Sequence, residues 1–287
     1  DIEVLEKAID ILENVDKNYL IKNLYQRINI LIKPKDFKTG ILFTKSIRYI
    51  DPSERKSKLK EIENMTFINT VNYSKEKSTF LYNIGQQYLN ISEYNQALRY
   101  LNKTVDIDKK LNGSEIDLAK CYNAIGNVYA DLVENKNALK YFKKSYDLLI
   151  KCTNKDKNKL LIDSIQNIGI SYLEINLEKS FDFLNESLSK SLIFFGKSHT
   201  MTSEAYYNLG VCYKYNNKYD EAIELYMKGL NIDLKTFDLF HPKIAQNYSN
   251  IGSAYYEKKD VEKSIFNIKK SLIINKRFYG VFNINTG

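Results

Sequence analysis

The sequence predicts an all-α fold, a solenoid of helix–turn–helix repeats, and two observations support this prediction. The first is a glycine-centred segment that recurs five times, at residues 81–89, 122–130, 165–173, 206–214 and 248–256. The second is that each repeat contains two stretches with apolar residues at helical spacing, separated by a short polar turn. In the fourth repeat these stretches are Thr200–Asn216 and Tyr219–Leu234. Because one helix pair cannot bury its apolar face alone, we expect the pairs to stack into a continuous core.

Each repeat has a glycine, a tyrosine three residues later, and a small residue about twelve residues after the glycine. The glycines, which lie 41 to 43 residues apart, are Gly85, Gly126, Gly169, Gly210 and Gly252. A glycine inside a helix costs about 1 kcal/mol relative to alanine, so its recurrence indicates a close approach of the second helix. We expect the small residue of that helix to meet the glycine, with the tyrosine filling the larger space beside them. In the third repeat the small residue, Ser180, comes one position early, which predicts a turn shortened by one residue.

These columns resemble those of the tetratricopeptide repeat (TPR), in which a glycine or small residue and a tyrosine lie in the first helix and alanine or serine in the second. The period of about 42 residues is similar to the long repeats of kinesin light chains. The segments FGKSHTMTSEAYYNLG (195–210) and FHPKIAQNYSNIG (240–252) look like the linkers between repeats in that family. The resemblance covers residues 78–277 and implies a right-handed superhelix whose first helices line a concave surface. The family implies binding of proteins or peptides in that groove.

The repeats divide the chain into three predicted parts. Residues 77–277 form five TPR units, residues 1–76 form an N-terminal helical region or degenerate repeats, and residues 278–287 form a C-terminal tail. In the first part, apolar stripes begin at Ile2 and Leu20, and Asp51-Pro52 predicts the start of a helix that runs to about Ile68. Since no polar capping helix follows the last repeat, we expect the tail to continue into a missing segment.

The net charge of +8 suggests nucleic acid or an acidic partner, but the basic residues are spread among acidic ones without an arginine cluster. Charged faces exposed to water explain this pattern, so we expect no specific nucleic-acid partner. No apolar run reaches the length that spans a bilayer, so we expect no membrane partner. Three widely spaced cysteines favour buried free thiols and a cytoplasmic protein.

No residue pattern indicates an enzyme. The two histidines, His199 and His241, each lie eleven residues before a repeat glycine, too far apart to share a metal ion. With Pro242 after it, His241 is typical of a helix start. The glycines occur singly inside helices, so they form no phosphate-binding loop. We therefore predict no catalytic residues, no metal site and no cofactor.

The candidate binding site is a column two residues before each glycine, where four repeats have asparagine and the second has Ala124. An asparagine amide both donates and accepts, so this column can hold the backbone of an extended peptide without selecting its sequence. Neighbouring side chains would add selectivity. The predicted peptide-binding residues are Asn83, Asn123, Asn127, Asn167, Asn208, Asn250, Tyr82, Gln86, Lys120, Asp163, Gln166, Glu204 and Tyr207. The alternative is that the asparagines only cap or cross-link neighbouring helices.

The predicted function is a non-catalytic scaffold that binds a protein or peptide ligand in the concave groove, as an adaptor or as the sensor domain of a larger protein. The alternative is a peptide-responsive receptor whose residues 1–76 are the output module. In related domains that hold C-terminal carboxylates, lysines and arginines lie beside such asparagines. The matching positions here are Thr79, Lys120, Asp163, Glu204 and Gln246. One lysine among five disfavours recognition of an acidic tail.

Overall fold

The computed structural model describes residues 34, 36–65 and 73–279, and it divides the chain into two compact units, Asp1–Cys152 and Thr153–Gly287. The helices described in the first unit are α1 (Phe37–Ile47), α2 (Pro52–Glu63), α3 (Lys75–Asn90), α4 (Tyr94–Lys110), α5 (Glu115–Asp131) and α6 (Asn135–Lys151). Those of the second unit are α7 (Asn158–Tyr172), α8 (Leu177–Phe195), α9 (Thr200–Tyr215), α10 (Tyr219–Thr236), α11 (Pro242–Glu257) and α12 (Val261–Tyr279). No strand occurs in these described ranges.

The helices pack in sequential pairs within each unit. In the first unit α3 packs on α4 and α5 on α6; in the second unit the pairs are α7 with α8, α9 with α10, and α11 with α12. Within a unit, each second helix also packs on the first helix of the next repeat, as α4 does on α5 and α10 on α11. The predicted all-α repeat fold is confirmed. None of the described helices combines the length and apolarity that crossing a bilayer requires.

The repeat glycine lets a large side chain of the second helix lie directly on the first helix. A Cβ atom added to Gly126 would lie 2.5 Å from the Phe142 ring, and one added to Gly210 would lie 2.6 Å from the Tyr226 ring. The small residue twelve positions on contributes its backbone, since the Ala222 carbonyl oxygen lies 3.3 Å from the same added atom at Gly210. The expected small-residue contact is therefore real but secondary. The closest partner is the bulky residue four positions later, which sequence reasoning did not identify.

Four of the five turns within the repeats are closed in the same way. A residue with positive φ follows the first helix by two positions: Ser92 (59°), Val133 (60°), Asn217 (59°) and Lys259 (68°). The next residue donates its N–H back to the carbonyl of the repeat tyrosine, as Glu134 does to Tyr129 at 2.8 Å. This pair of features is the Schellman motif, which satisfies carbonyl groups left over at the helix end.

The turn of the third repeat differs, and the prediction of a shortened turn needs correction. α8 does begin one residue early relative to Gly169, but α7 ends early too, at Tyr172, so the connection has four residues rather than three. No positive-φ residue occurs in it. Asn176 donates its N–H to the Tyr172 carbonyl at 2.8 Å, one residue closer in sequence than in the other repeats. The deleted residue is therefore the left-handed one, and the helix end adjusts to its loss.

The N-terminal part is only partly covered. Asp51 caps α2 by accepting from the Ser53 N–H at 2.9 Å, with Pro52 at the first helical position, as predicted. The helix ends at Glu63 rather than near Ile68, because the Met65 N–H bonds to the Ile62 carbonyl three residues back. The apolar stripes that begin at Ile2 and Leu20 lie outside the described residues.

Both histidines are helix caps. His241 accepts the Lys243 N–H at 3.1 Å through its Nδ1 atom, and His199 accepts the Met201 N–H at 3.1 Å in the same way. The ring of His241 also stacks on Phe237 at 4.0 Å between centroids. The interpretation of His241 as a helix-start residue is confirmed.

Candidate functional site

The predicted asparagine column lies on the first helices of the repeats. Asn83 is on α3, and Asn167, Asn208 and Asn250 are on α7, α9 and α11; all four side chains are half-buried. The amide nitrogens of Asn83 and Asn250 are fully covered, and neither finds an acceptor among the described residues. We call the side of these helices that carries the column the first-helix face of each unit.

The flanking residues differ in accessibility. Asn127, Lys120 and Glu204 are exposed, whereas Asn123 and Gln166 are buried, at 7% and 4% exposure. The remaining predicted residues, Tyr82, Gln86, Asp163 and Tyr207, are half-buried. Asn123 and Gln166 therefore lie beneath the first-helix face rather than on it. The binding role of all these residues stays a prediction.

A polar pocket opens on the first-helix face of the first unit, between α3, α4 and α5. Its volume is about 210 Å³, and three predicted residues, Tyr82, Asn83 and Lys120, line it. The other lining residues are Lys75, Ser78, Thr79, Thr104, Asp108, Asp117 and Cys121. Lys75 and Lys120 form ion pairs with Asp117 at 3.4 and 3.7 Å. Burial raises the pKa of the Tyr82 phenol to about 12, so Tyr82 is a neutral donor in this pocket.

The floor of this pocket is a buried carboxylate whose two oxygens both have partners. The Ser78 hydroxyl donates to Asp108 Oδ1, and the Cys121 thiol lies 3.8 Å from Asp108 Oδ2. Burial raises the pKa of Asp108, while these two donors act in the opposite direction. The arrangement joins three helices, so its first role is to hold the repeats together.

A second pocket, of about 80 Å³, occupies the same position in the second unit, between α9, α10 and α11. Two predicted residues, Glu204 and Tyr207, line it, together with Ser203, Asp233, Lys243, Gln246 and Asn247. Burial raises the pKa of Tyr207, and the amides of Asn250 and Gln246 beside its hydroxyl oppose that rise. Of the thirteen predicted residues, five therefore line one or other pocket.

The floor of the second pocket is again a buried aspartate. Asp108 and Asp233 each lie 23 residues after their repeat glycine, and Ser78 and Ser203 each lie seven residues before it. Sequence reasoning missed these residues, although the recurrence of both in the first and fourth repeats was a visible signal. An aspartate inside the apolar face of a helix indicates a buried, bonded carboxylate.

The bonding of the second aspartate is incomplete. Asn247 donates to Asp233 Oδ2 at 2.7 Å, but Asp233 Oδ1 is covered and has no partner in the described chain. The Ser203 hydroxyl lies near enough to lower the Asp233 pKa, yet it donates to the Gly229 carbonyl at 3.0 Å. Since a hydroxyl carries one proton, it cannot serve both acceptors at once. Burial is the largest influence on Asp233 and raises its pKa.

Acidic residues gather around this second pocket. Burial and, after it, the neighbouring Glu204 carboxylate raise the pKa of Asp163 on α7 to about 6. Lys159 and Lys243 oppose this rise. Lys243 also pairs with Glu204 at 3.7 Å, with both side chains more than 40% exposed. Three carboxylates thus lie near one another in a chain whose net charge is positive. In the described part of the chain, no three His, Cys, Asp or Glu residues are grouped in a way that could hold a metal ion.

Comparison with solved structures identifies similar folds. A Rap protein complexed with Competence and Sporulation Factor aligns with a TM-score of 0.66 and 15% identity, covering 99% of this chain and 82% of that one. NprR in complex with its cognate peptide NprX gives 0.64 and 18%, over 98% and 80%. A putative kinesin light chain from Podosopora anserina with TPR-like repeats gives 0.56 and 16%, over 72% and 98%. At these identities the similarity concerns the fold. Comparison with curated proteins gave no match.

Family models described as tetratricopeptide repeat match the sequence over most of its length. One matches residues 76–151 and 161–235, and another matches residues 245–277. These ranges contain all five glycine-centred segments and most of each helix from α3 to α12. The chain belongs to the tetratricopeptide repeat family.

Proposed function

We propose that the chain is a non-catalytic scaffold that binds an extended segment of a protein or peptide on the first-helix face. The observation that supports this most directly is the state of the column asparagines. Asn83 holds a covered amide nitrogen without an acceptor and lines the polar pocket of the first unit. The amide nitrogen of Asn250 is equally covered and lies near the Tyr207 hydroxyl without reaching hydrogen-bonding geometry. A buried polar group without a partner costs stability, and natural proteins contain few of them.

A peptide backbone would supply what these groups lack. Rotation about the last side-chain bond of an asparagine exchanges its donor and its acceptor, so each half-buried amide can turn toward a ligand N–H or C=O. Such bonds grip an extended chain without depending on its side chains. Tyr82, Lys120, Glu204 and Tyr207, which line the two pockets, are then available to select side chains. The peptide bound by NprR on a similar fold supports the proposal by analogy.

The same face would serve an adaptor or the sensor domain of a larger protein. The three cysteines are buried thiols that form no disulfide in the described part of the chain, which fits a cytoplasmic location because thiols stay reduced there.

The experiment that tests the proposal uses the double variant Asn208→Ala/Asn250→Ala. Peptides would first be selected on the wild-type chain from a displayed random library, then synthesised for fluorescence-anisotropy titration. Because each lost amide leaves ligand groups unpaired at about 1–3 kcal/mol, we expect at least a tenfold weaker affinity with little change in melting temperature. The control is Asn185→Ala/Asn231→Ala, which removes two exposed asparagines from the second helices α8 and α10.

The structural alternative gives the opposite result. If the asparagines only cross-link helices, the double variant melts at a lower temperature and the folded fraction binds as tightly as the wild type. Failure of the library to yield any binding peptide would contradict the proposal itself.

A further inference from the structure

The pocket of the second unit has two acceptor oxygens that nothing in the described chain satisfies. Asp233 and Asn247 are 3% and 5% exposed, both line the pocket, and Asp233 Oδ1 and Asn247 Oδ1 have no hydrogen-bond donor. Both amide hydrogens of Asn247 are already used, by Asp233 Oδ2 at 2.7 Å and the Lys243 carbonyl at 3.1 Å. The orientation of this amide is therefore fixed, and its oxygen is left over. A carboxylate oxygen and an amide oxygen that both lack a donor favour a ligand with several N–H or O–H groups.

The first unit shows what a completed version of this cluster looks like. There the corresponding aspartate, Asp108, receives Ser78 on one oxygen and has the Cys121 thiol beside the other. In the second unit Gly229 replaces Thr104 and Asn247 replaces Cys121. The glycine exposes a backbone carbonyl that takes the Ser203 hydroxyl. It also lets α10 lie close to α9, because a Cβ added to Gly229 would lie 3.2 Å from the Ser203 carbonyl oxygen.

The charged groups around this pocket favour a positively charged ligand. The lining of this pocket contains the carboxylates of Glu204 and Asp233 and one ammonium group, that of Lys243. Asp163 adds a third carboxylate close to Glu204. A cation entering here meets an excess of negative charge in a partly desolvated site, where such interactions are stronger than in water.

We propose that this pocket takes the guanidinium head of an arginine side chain from the bound segment. The planar guanidinium has five N–H donors in a fixed fork, and Asp233, Asn247 and Glu204 all bring acceptor oxygens to the lining of this pocket. The inference rests on the proposed function, since the arginine belongs to the segment held on the first-helix face. Lys243 yields its place on Glu204, because an ion pair this exposed contributes little to stability.

The test starts from the peptides selected on the full wild-type chain. We expect arginine at one fixed position in the selected sequences. Replacing that arginine with citrulline keeps the shape but removes the charge and should weaken binding at least tenfold in anisotropy titrations. A lysine at that position should bind with intermediate affinity. This part of the test changes only the ligand, so it holds whatever the variants do to folding.

Two variants locate the effect. In Asp233→Asn the arginine and citrulline peptides should bind within about twofold of each other, whereas in Asp220→Asn, an exposed aspartate on the same helix, the tenfold difference should remain. Lys243→Met should strengthen binding of the arginine peptide, since it removes a competing cation. Retention of the tenfold difference in Asp233→Asn, or equal binding of both peptides to the wild type, would overturn the assignment while leaving peptide binding intact. Absence of any selected peptide would refute the binding function on which it rests.

Discussion

At the scale of single residues, Asp163 links the candidate site to stability. Its pKa is raised to about 6 by burial first and then by the Glu204 carboxylate, against an ordinary value of 3.8. A carboxyl whose pKa is higher in the folded state binds its proton more tightly there than in the unfolded chain. Its ionisation therefore works against folding, and the unfolding free energy falls as the pH rises from about 4 to about 6.

Replacement of Asp163 should remove this pH dependence. We expect Asp163→Asn to be more stable than the wild type at pH 7, by about 3 kcal/mol at most, and to match it more closely near pH 4. Thermal melts across that interval measure the difference. The control is Asp182→Asn, an exposed aspartate on α8, which should follow the wild-type profile. A wild type whose stability rises from pH 4 to 6 relative to Asp163→Asn would show that Asp163 is stabilised when charged.

The buried aspartates beneath the two pockets show which properties of single residues could be predicted and which could not. The positions of Ser78, Asp108, Ser203 and Asp233 repeat in the sequence, so a buried carboxylate at both junctions was predictable. The difference in bonding was not. It depends on Gly229, which offers its carbonyl to Ser203, and on the single proton of that hydroxyl. Such competition between acceptors is decided by distances of a few tenths of an ångström, which no residue pattern contains.

At the scale of elements, the turns within the repeats carry the clearest stored strain. The second residue after the first helix of these repeats needs a positive φ. Asparagine tolerates this conformation, whereas a β-branched residue rarely adopts it. Asn217 occupies that position in the fourth repeat and Val133 in the second, with φ of 59° and 60°. The Val133 side chain is 76% exposed, so it gains little from packing there.

Relief of that strain should stabilise the first unit. We expect Val133→Gly to raise the free energy of unfolding by about 1 kcal/mol, because the left-handed conformation costs a residue with a Cβ roughly that amount. Denaturant titration gives the change as a shift of midpoint at constant slope. The matched control is Asn217→Gly, where the residue already suits the turn and the change should be a few tenths of a kcal/mol at most. A lower midpoint for Val133→Gly would mean that valine suits this turn.

The helix pairs were predictable because their cause is periodic. Glycine, tyrosine and the apolar spacing recur in register, and each column has one packing role in every repeat. Only part of the structure of the third turn was predicted. The early position of Ser180 shows that one residue is missing, but not which one. Since the missing residue is the left-handed one, the last turn of α7 unwinds instead.

At the scale of the whole molecule, the positive charge is a surplus of lysines spread over many local ion pairs. Lys56 pairs with Glu93 and Lys258 with Asp220, while Lys228 lies 2.7 Å from Glu224. Charges arranged in this way partly cancel within a screening length. We therefore expect the described surface to offer a phosphate backbone only weak, local contacts.

Binding to nucleic acid should therefore be weak and sensitive to salt. We expect generic duplex DNA or single-stranded RNA to bind the chain measurably at low ionic strength and to dissociate near 150 mM, because such contacts depend on counterion release. Anisotropy titrations of labelled oligonucleotides of several sequences at two or more salt concentrations test this. Sub-micromolar, sequence-selective binding at about 150 mM salt would identify a nucleic-acid partner instead.

The three buried thiols allow the opening of each unit to be followed by chemical modification. Cys121 and Cys152 lie in the first unit and Cys212 in the second. Burial raises the pKa of Cys121 and of Cys212, so neither thiol ionises appreciably near neutral pH, and a thiolate is what an alkylating reagent attacks. A buried thiol reacts only after the helices that cover it have separated. Its modification rate therefore measures the opening of its own unit. Peptide mapping of the modified cysteines can then time the opening of the two units separately in a single sample, without any substitution in the chain.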